Sequence, residues 1–160
     1  MKAFLAMLLI AGAVQASPAL ASSSSASPLL GSWAVDTTRL PVPPAVRPKG
    51  VTITFSDAGE GKWATRVERV DANGAKIHAE GIAPLDGTPA SVTGNLEADM
   101  SAATMPAPNV LIMQLGKGGV PASTRIYTVA ADSKSMIETV AYFGKDGRPM
   151  LRTNYFTRVR

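Results

Sequence analysis

From Gly31 onward the chain repeats one pattern: short runs alternating between apolar and polar residues, separated by turn residues. Val51-Thr52-Ile53-Thr54-Phe55 sets Val51, Ile53 and Phe55 on one face, the period-two signature of a half-buried strand. Further strands are predicted over Lys62 to Val70, Lys76 to Ala83, Ala90 to Leu96, Ser123 to Val129, Met136 to Phe143 and Met150 to Arg160, with a first one opening at Gly31-Ser32-Trp33. Val110-Leu111-Ile112-Met113 is apolar throughout and reads as a strand buried on both faces, or nearly so. Between these runs lie Ser56 to Gly61, Asp71-Ala72-Asn73-Gly74, Asp86-Gly87, Gly116-Lys117-Gly118-Gly119, Ala130 to Ser135 and Lys145-Asp146-Gly147-Arg148. Asn73-Gly74 is a strong hairpin signal, because both residues accept the positive φ angles that tight hairpin turns require. Leu40 to Pro48 carries four prolines and is predicted as an extended loop, since proline cannot donate to a sheet ladder. Glu97 to Asn109, with Pro106 and Pro108, also reads as a loop.

Eight or nine strands with short connections and no helical period define an all-β fold, an antiparallel up-and-down meander. A sheet of that many strands exposes its edges unless it closes. A small closed barrel is therefore expected, with a two-sheet β-sandwich as the alternative. The alternation places Val51, Ile53, Phe55, Ile112 and Val159 in the core.

The N-terminal segment breaks this pattern. Lys2 is followed by a short apolar run from Ala3 to Val14, then by Ser17-Pro18 and Ala19-Leu20-Ala21. These are the parts of a secretory signal peptide with a small-x-small cleavage site. Residues 1–21 are read as that signal, 22–28 as a disordered Ser/Ala linker, and 29–160 as one domain of ample size for a core. The apolar run falls short of the roughly 20 residues that span a membrane. The expected protein is exported, periplasmic or extracellular, bacterial, without a transmembrane anchor, and monomeric.

Composition narrows the chemistry. The chain has no cysteine, which excludes disulfides, cysteine-ligated metals and thiol nucleophiles. Without Lys2, 15 Lys and Arg face 12 Asp and Glu, a net charge of +3. The basic residues are scattered, as in Arg66, Glu68 and Arg69, so there is no clustered stripe of the kind nucleic-acid binding uses. His78 is the sole histidine and lies beside Lys76 and Glu80 on a polar strand face; a surface histidine fits better than a triad member. Asp57, Glu60, Asp71, Asp86, Glu97, Asp99, Asp132 and Asp146 fall mostly in turns, where such residues satisfy the backbone. Gly116-Lys117-Gly118-Gly119 lacks the spacing and the following Ser or Thr of a phosphate loop. No catalytic residues, metal ligands or cofactor site emerge.

The arginines offer a binding chemistry instead. Arg125 and Tyr127 share one face of their strand, and Arg152, Asn154 and Arg158 share a face of the last. Turned inward, arginine and tyrosine fix an anionic group by charge-assisted hydrogen bonds. The competing reading turns the arginines outward and puts Leu151, Tyr155 and Val159 in the core, as simple alternation favours. Core packing is the default for the aromatics: Tyr142, Phe143 and Phe156 are the candidates for lining a pocket, Trp33 is placed in the core near a barrel end, and Trp63, which opens a strand, is the candidate for a rim.

Gly31-Ser32-Trp33 at the first strand, the Pro-rich loop, the repeated Asp-Gly turns, Asp132-Ser133-Lys134-Ser135-Met136 and the closing Asn154-Tyr155-Phe156-Thr157-Arg158-Val159-Arg160 together resemble the lipocalin-like (calycin) barrels, in particular small exported bacterial proteins of that type. The resemblance spans most of residues 29–160. Two departures stand out: no helix follows the last strand, and the middle Thr-Asp-Tyr motif is missing. The resemblance implies a barrel that holds a small apolar ligand. It also implies a late arginine laid over the first-strand tryptophan, which assigns structural roles to Gly31, Trp33 and Arg158. Arg125-x-Tyr127 further resembles the Arg-x-Tyr pair of fatty-acid-binding barrels, placed two strands earlier.

The expected function is thus a non-enzymatic exported barrel that binds a small hydrophobic or anionic amphiphilic molecule through Arg125, Tyr127, Tyr142 and Arg152. The alternative is an envelope protein-interaction module with a filled core, and a third reading is a hydrolase or isomerase built on a barrel. A cavity of about 300 Å³ or more with a few converging polar groups separates the first from the second.

Overall fold

A computed structural model describes residues 26–159; the segment 1–21 read as a signal peptide and most of the expected Ser/Ala linker lie outside them. The described residues form ten strands: β1 (Gly31–Val35), β2 (Gly50–Gly59), β3 (Lys62–Val70), β4 (Lys76–Pro84), β5 (Ala90–Thr93), β6 (Met100–Ala107), β7 (Val110–Lys117), β8 (Val120–Val129), β9 (Ser135–Phe143) and β10 (Pro149–Arg158). Each pairs antiparallel with its sequence neighbours. β1 also pairs with β10, so the meander closes into a barrel and the sandwich is ruled out. Trp33 sits at the seam, opposite Ile53 on β2 and Arg158 on β10.

The strand missing from the sequence reading is β6, which occupies most of the predicted loop at 97–109. Its register with β7 shifts between Thr104 and Ala107. Pro106 lies inside that irregularity, where the ladder asks nothing of its absent N–H. β5 is shorter than predicted and pairs over two residues with each neighbour. Gly94 follows it at φ +70°, and a Cβ there would stand 2.0 Å from the His78 carbonyl oxygen; no other residue type fits.

The two barrel ends differ. At one, Leu29 and Trp33 are wholly buried. The Trp33 Nε1–H donates to the Leu29 carbonyl at 2.8 Å. The Arg158 guanidinium lies 4.1 Å from the indole centroid. It donates from Nε to Ser133 O (2.7 Å), from Nη1 to Leu30 O (2.8 Å) and from Nη2 to Pro28 O. Gly31 has φ +114°, and a Cβ on it would come within 2.8 Å of Arg158 Nη1, so the glycine makes room for the stack. This end is a plug. At the other end run the proline-bearing connection between β1 and β2, with 3-10 turns at Thr37–Arg39 and Pro44–Val46, and the connection between β5 and β6.

Ile53, Phe55, Trp63, Leu111, Met113, Leu115, Val129, Met136 and Phe156 form the buried core with Trp33 and Tyr127. Phe55 meets Trp63 at 6.3 Å and Tyr127 at 5.3 Å between ring centroids, the latter edge-to-face. Trp63 packs in the core, the default expected of these aromatics. Two expected core residues are corrected. Ile112 is half-buried on the outer face, between the buried Leu111 and Met113. Val159 lies past the end of β10 and is 46% exposed.

Candidate ligand-binding cavity

The inner surface of the barrel is uneven, and this follows from side-chain size. β4 turns Ala79, Gly81 and Ala83 inward, and β6 turns in Ser101 and Ala103. These short side chains leave a cavity of about 310 Å³ between themselves and the opposite wall. Leu111, Met113 and Leu115 of β7, with Ile53, Trp63 and Val67, make the surrounding surface apolar. Leu40, Val42 and Val46 of the proline-bearing connection, and Leu96 and Glu97 of the β5–β6 connection, line it at the open end.

β8, β9 and β10 supply a polar wall in cross-strand rows fixed by register. From the open end inward the rows are Ser123–Tyr142–Met150, Arg125–Val140–Arg152, Tyr127–Glu138–Asn154 and Val129–Met136–Phe156. Arg125, Tyr127 and Arg152 therefore share one inner wall and line one cavity. Tyr142 lines an adjoining recess of about 330 Å³ with Arg152, Ser123, Val140, Ala122 and Glu97. The outward reading of β10 is corrected: Leu151 is 75% exposed, and Tyr155 faces out, where the Arg39 guanidinium stacks 3.3 Å from its ring centroid. Phe143 is also outside, 73% exposed, while Phe156 lines the cavity.

The polar wall is built on a buried ion pair. Arg125 Nη1 donates to Glu138 Oε1 at 2.8 Å, and Asn154 Nδ2 donates to Glu138 Oε2 at 2.6 Å. Glu138 is 2% exposed. The second Arg125 amine, Nη2, donates to Glu97 Oε2. Burial works to lower the Arg125 pKa, but Tyr127, Glu138 and Glu97 outweigh it, so the guanidinium is held charged more firmly than usual. Burial pushes the Tyr127 hydroxyl well above its ordinary value, and the Glu138 carboxylate adds to the shift. Tyr127 is thus a neutral phenol at physiological pH.

Arg152 differs from Arg125. Among the described residues it forms no ion pair. Its guanidinium lies 6.0 Å from the Tyr142 ring centroid. Arg152 Nε, Ser123 Oγ, Asn154 Oδ1 and Arg125 Nε are buried without a hydrogen-bond partner. Buried polar atoms are nearly always partnered, so four together on one wall need an explanation.

Several of these residues carried no signal at the level of sequence. Glu138 is hidden within the alternation of β9 and Ser123 reads as an ordinary strand residue, while Asn154 shows only as a neighbour of Arg152 and Arg158 on one strand face. The signal that finds them is register. The tight turns at Asp132 and Asp146 fix the β8–β9 and β9–β10 pairings, which set Glu138 opposite both Tyr127 and Asn154. Glu97 was grouped with the turn acids. Asp57, Asp86, Asp132 and Asp146 do accept from backbone N–H groups two residues on; Glu97 instead reaches Arg125. His78 lies on the exterior, with Nε2 3.1 Å from Glu80 Oε2.

In comparisons with known proteins, no protein-family model matches the chain, and no curated protein matches it either.

Proposed function

We propose that this barrel is an exported, non-enzymatic binding protein of the lipocalin-like kind, and that it holds a small apolar or amphipathic molecule inside. The apolar part occupies the cavity beside β4 to β7, and the polar end lies against Arg125, Tyr127 and Arg152, with Tyr142 beside them. The observation that carries the reading is the pairing of a 310 Å³ apolar cavity with a wall of buried, unpartnered polar atoms. Ligand pockets have this make-up: mostly apolar surface with a few convergent polar groups that fix orientation. A filled core, which the interaction-module reading requires, has neither. The Trp33–Arg158 stack and the Gly31 contact support the lipocalin-like assignment, since a barrel plugged at one end is left with a single mouth.

The test is a titration of purified protein with dodecanoate and with dodecan-1-ol, followed by the fluorescence of Trp63, which lines the cavity. Wild-type protein is expected to bind the carboxylate. Arg152→Leu removes an unpaired cation and should weaken that binding by about 1.5–3 kcal/mol, the range for a hydrogen bond to a charged group. A wild-type protein that binds neither probe, and carries no small molecule when its native mass is measured, overturns the reading.

A further inference from the structure

We infer that Glu97 is a built-in stand-in for the ligand's anionic head, and that the cavity is therefore matched to a single negative charge, a carboxylate. The inference rests on the binding function proposed above and names the ligand class that the same site takes.

The argument is one of charge balance around the polar wall. Arg125 and Arg152 face Glu138 and Glu97 there. The other charged residues at the cavity are neutralised elsewhere: Arg69 pairs with Asp71, and Glu80 pairs on the exterior with Arg66 at 4.0 Å. The two carboxylates of the wall are not equivalent. Glu138 is fixed on β9, with a side chain 3% exposed and both oxygens hydrogen-bonded. Glu97 hangs from the β5–β6 connection, with a side chain 59% exposed, and makes one ion pair, to Arg125 Nη2. An exposed carboxylate is readily rehydrated, whereas a buried one is not.

Glu97 is also held where a ligand head would sit. It lines both the main cavity and the recess that contains Arg152. Its backbone N–H donates to Asn95 Oδ1 at 2.7 Å, and the wholly buried Ala98 anchors the segment just beyond it. The connection thus keeps its carboxylate over the mouth while its backbone stays in place. When Glu97 leaves Arg125, the wall carries one net positive charge spread over Arg125 and Arg152. A monoanionic head restores neutrality, a dianion overshoots it, and an uncharged head cannot displace Glu97.

Glu97→Gln removes the competitor and keeps the side-chain shape. In titrations of the full chain, the variant is expected to bind dodecanoate about fivefold more tightly, the worth of an exposed ion pair, and dodecan-1-ol as the wild type does. Glu97→Ala should act in the same direction. Thermal melts of both variants near the wild-type midpoint exclude a folding effect. Unchanged or weaker dodecanoate binding by both variants overturns the inference. So does a wild-type protein that binds dodecan-1-ol but not dodecanoate, although that result leaves a ligand-holding barrel intact. Absence of binding for both probes in all three proteins instead overturns the binding function itself, and this inference with it.

Discussion

Replacing Arg125 by leucine tests the polar wall most directly, because its cost can be worked from the contacts. The substitution removes the Nη1 bond to Glu138 at 2.8 Å and the Nη2 bond to Glu97. Glu97 is exposed and returns to water at little cost. Glu138 cannot. Its carboxylate, 2% exposed, retains the Asn154 amide and the neighbouring Tyr127 hydroxyl, neither of which carries a charge. One-sided removal of a buried pair typically costs about 3–5 kcal/mol, because the remaining charge is left uncompensated. For a domain of this length each kcal/mol lowers the melting temperature by about 4 °C, so Arg125→Leu should melt roughly 12–20 °C below the wild type. Glu138→Leu should cost less, since Arg125 keeps Glu97. The double variant should recover most of the loss, because an apolar pair of similar volume replaces the ion pair without a desolvation cost. The assay is thermal and denaturant unfolding of the four proteins, read by far-ultraviolet circular dichroism. A loss below about 1 kcal/mol for Arg125→Leu, the level of a surface pair, would refute the argument; so would a double variant as unstable as the two single losses added. The same reasoning disqualifies Arg125→Leu as a binding test, since destabilisation would mask any effect on affinity; among the described residues Arg152 has no acidic partner to strand.

Two further predictions concern the plug and the N-terminus. Arg158→Ala strips donors from the Pro28, Leu30 and Ser133 carbonyls and removes the stack on Trp33; it should cost roughly 3–5 kcal/mol and shift Trp33 emission. Arg148→Ala, whose side chain is 82% exposed, should stay within about 0.5 kcal/mol of the wild type, and equal behaviour of the two variants would contradict a plug held by Arg158. Cleavage after Ala21 should leave Ser22 as the first residue of exported protein, and N-terminal sequencing that begins at Met1 would remove the basis for export.

The turns of this chain were more legible than its faces. Asn73-Gly74, Asp86-Gly87 and Asp146-Gly147 place the strand boundaries well, because backbone conformation at such sites depends on one or two residues. Which face points inward is a collective choice, and it misled in β10. Alternation gathers Leu151, Tyr155 and Val159 on one side and Arg152, Asn154 and Arg158 on the other, and the hydrophobic rule turns the first set inward. The barrel does the opposite. A slip of one residue would reverse every side chain, and the Asp146-Gly147 turn allows none: it pairs Phe143 with Pro149 and carries the register down to Glu138 and Asn154. Short-range turn chemistry thus outranks side-chain polarity in setting the face. It can do so because the inward polar residues meet partners on the next strands, which a single strand's pattern does not display. β6 was lost for a related reason: Pro106 signals a break, and the break is a local shift inside a strand.

The contrast between two arginines on β10 bears on why the polar wall exists. Arg158 and Arg152 lie on the same face of the same strand, three turns of alternation apart. The fold satisfies the first completely: its guanidinium donates to three main-chain carbonyls and stacks on indole. It leaves the second without an ion pair and with Nε buried and unpartnered. A sequence serving stability alone gains from an apolar residue at position 152, since a buried ionic group seldom improves on a well-packed apolar one. Arg152 instead faces open volume, beside a tyrosine and a serine hydroxyl that also lacks a partner. Among the described residues, four of the five buried side-chain polar atoms without a partner lie on this one wall, the fifth is Arg47 Nε in the connection between β1 and β2, and none is in the plug. That distribution is what a site completed by a ligand requires, and it is why the proposed head group is placed at the open end of the barrel.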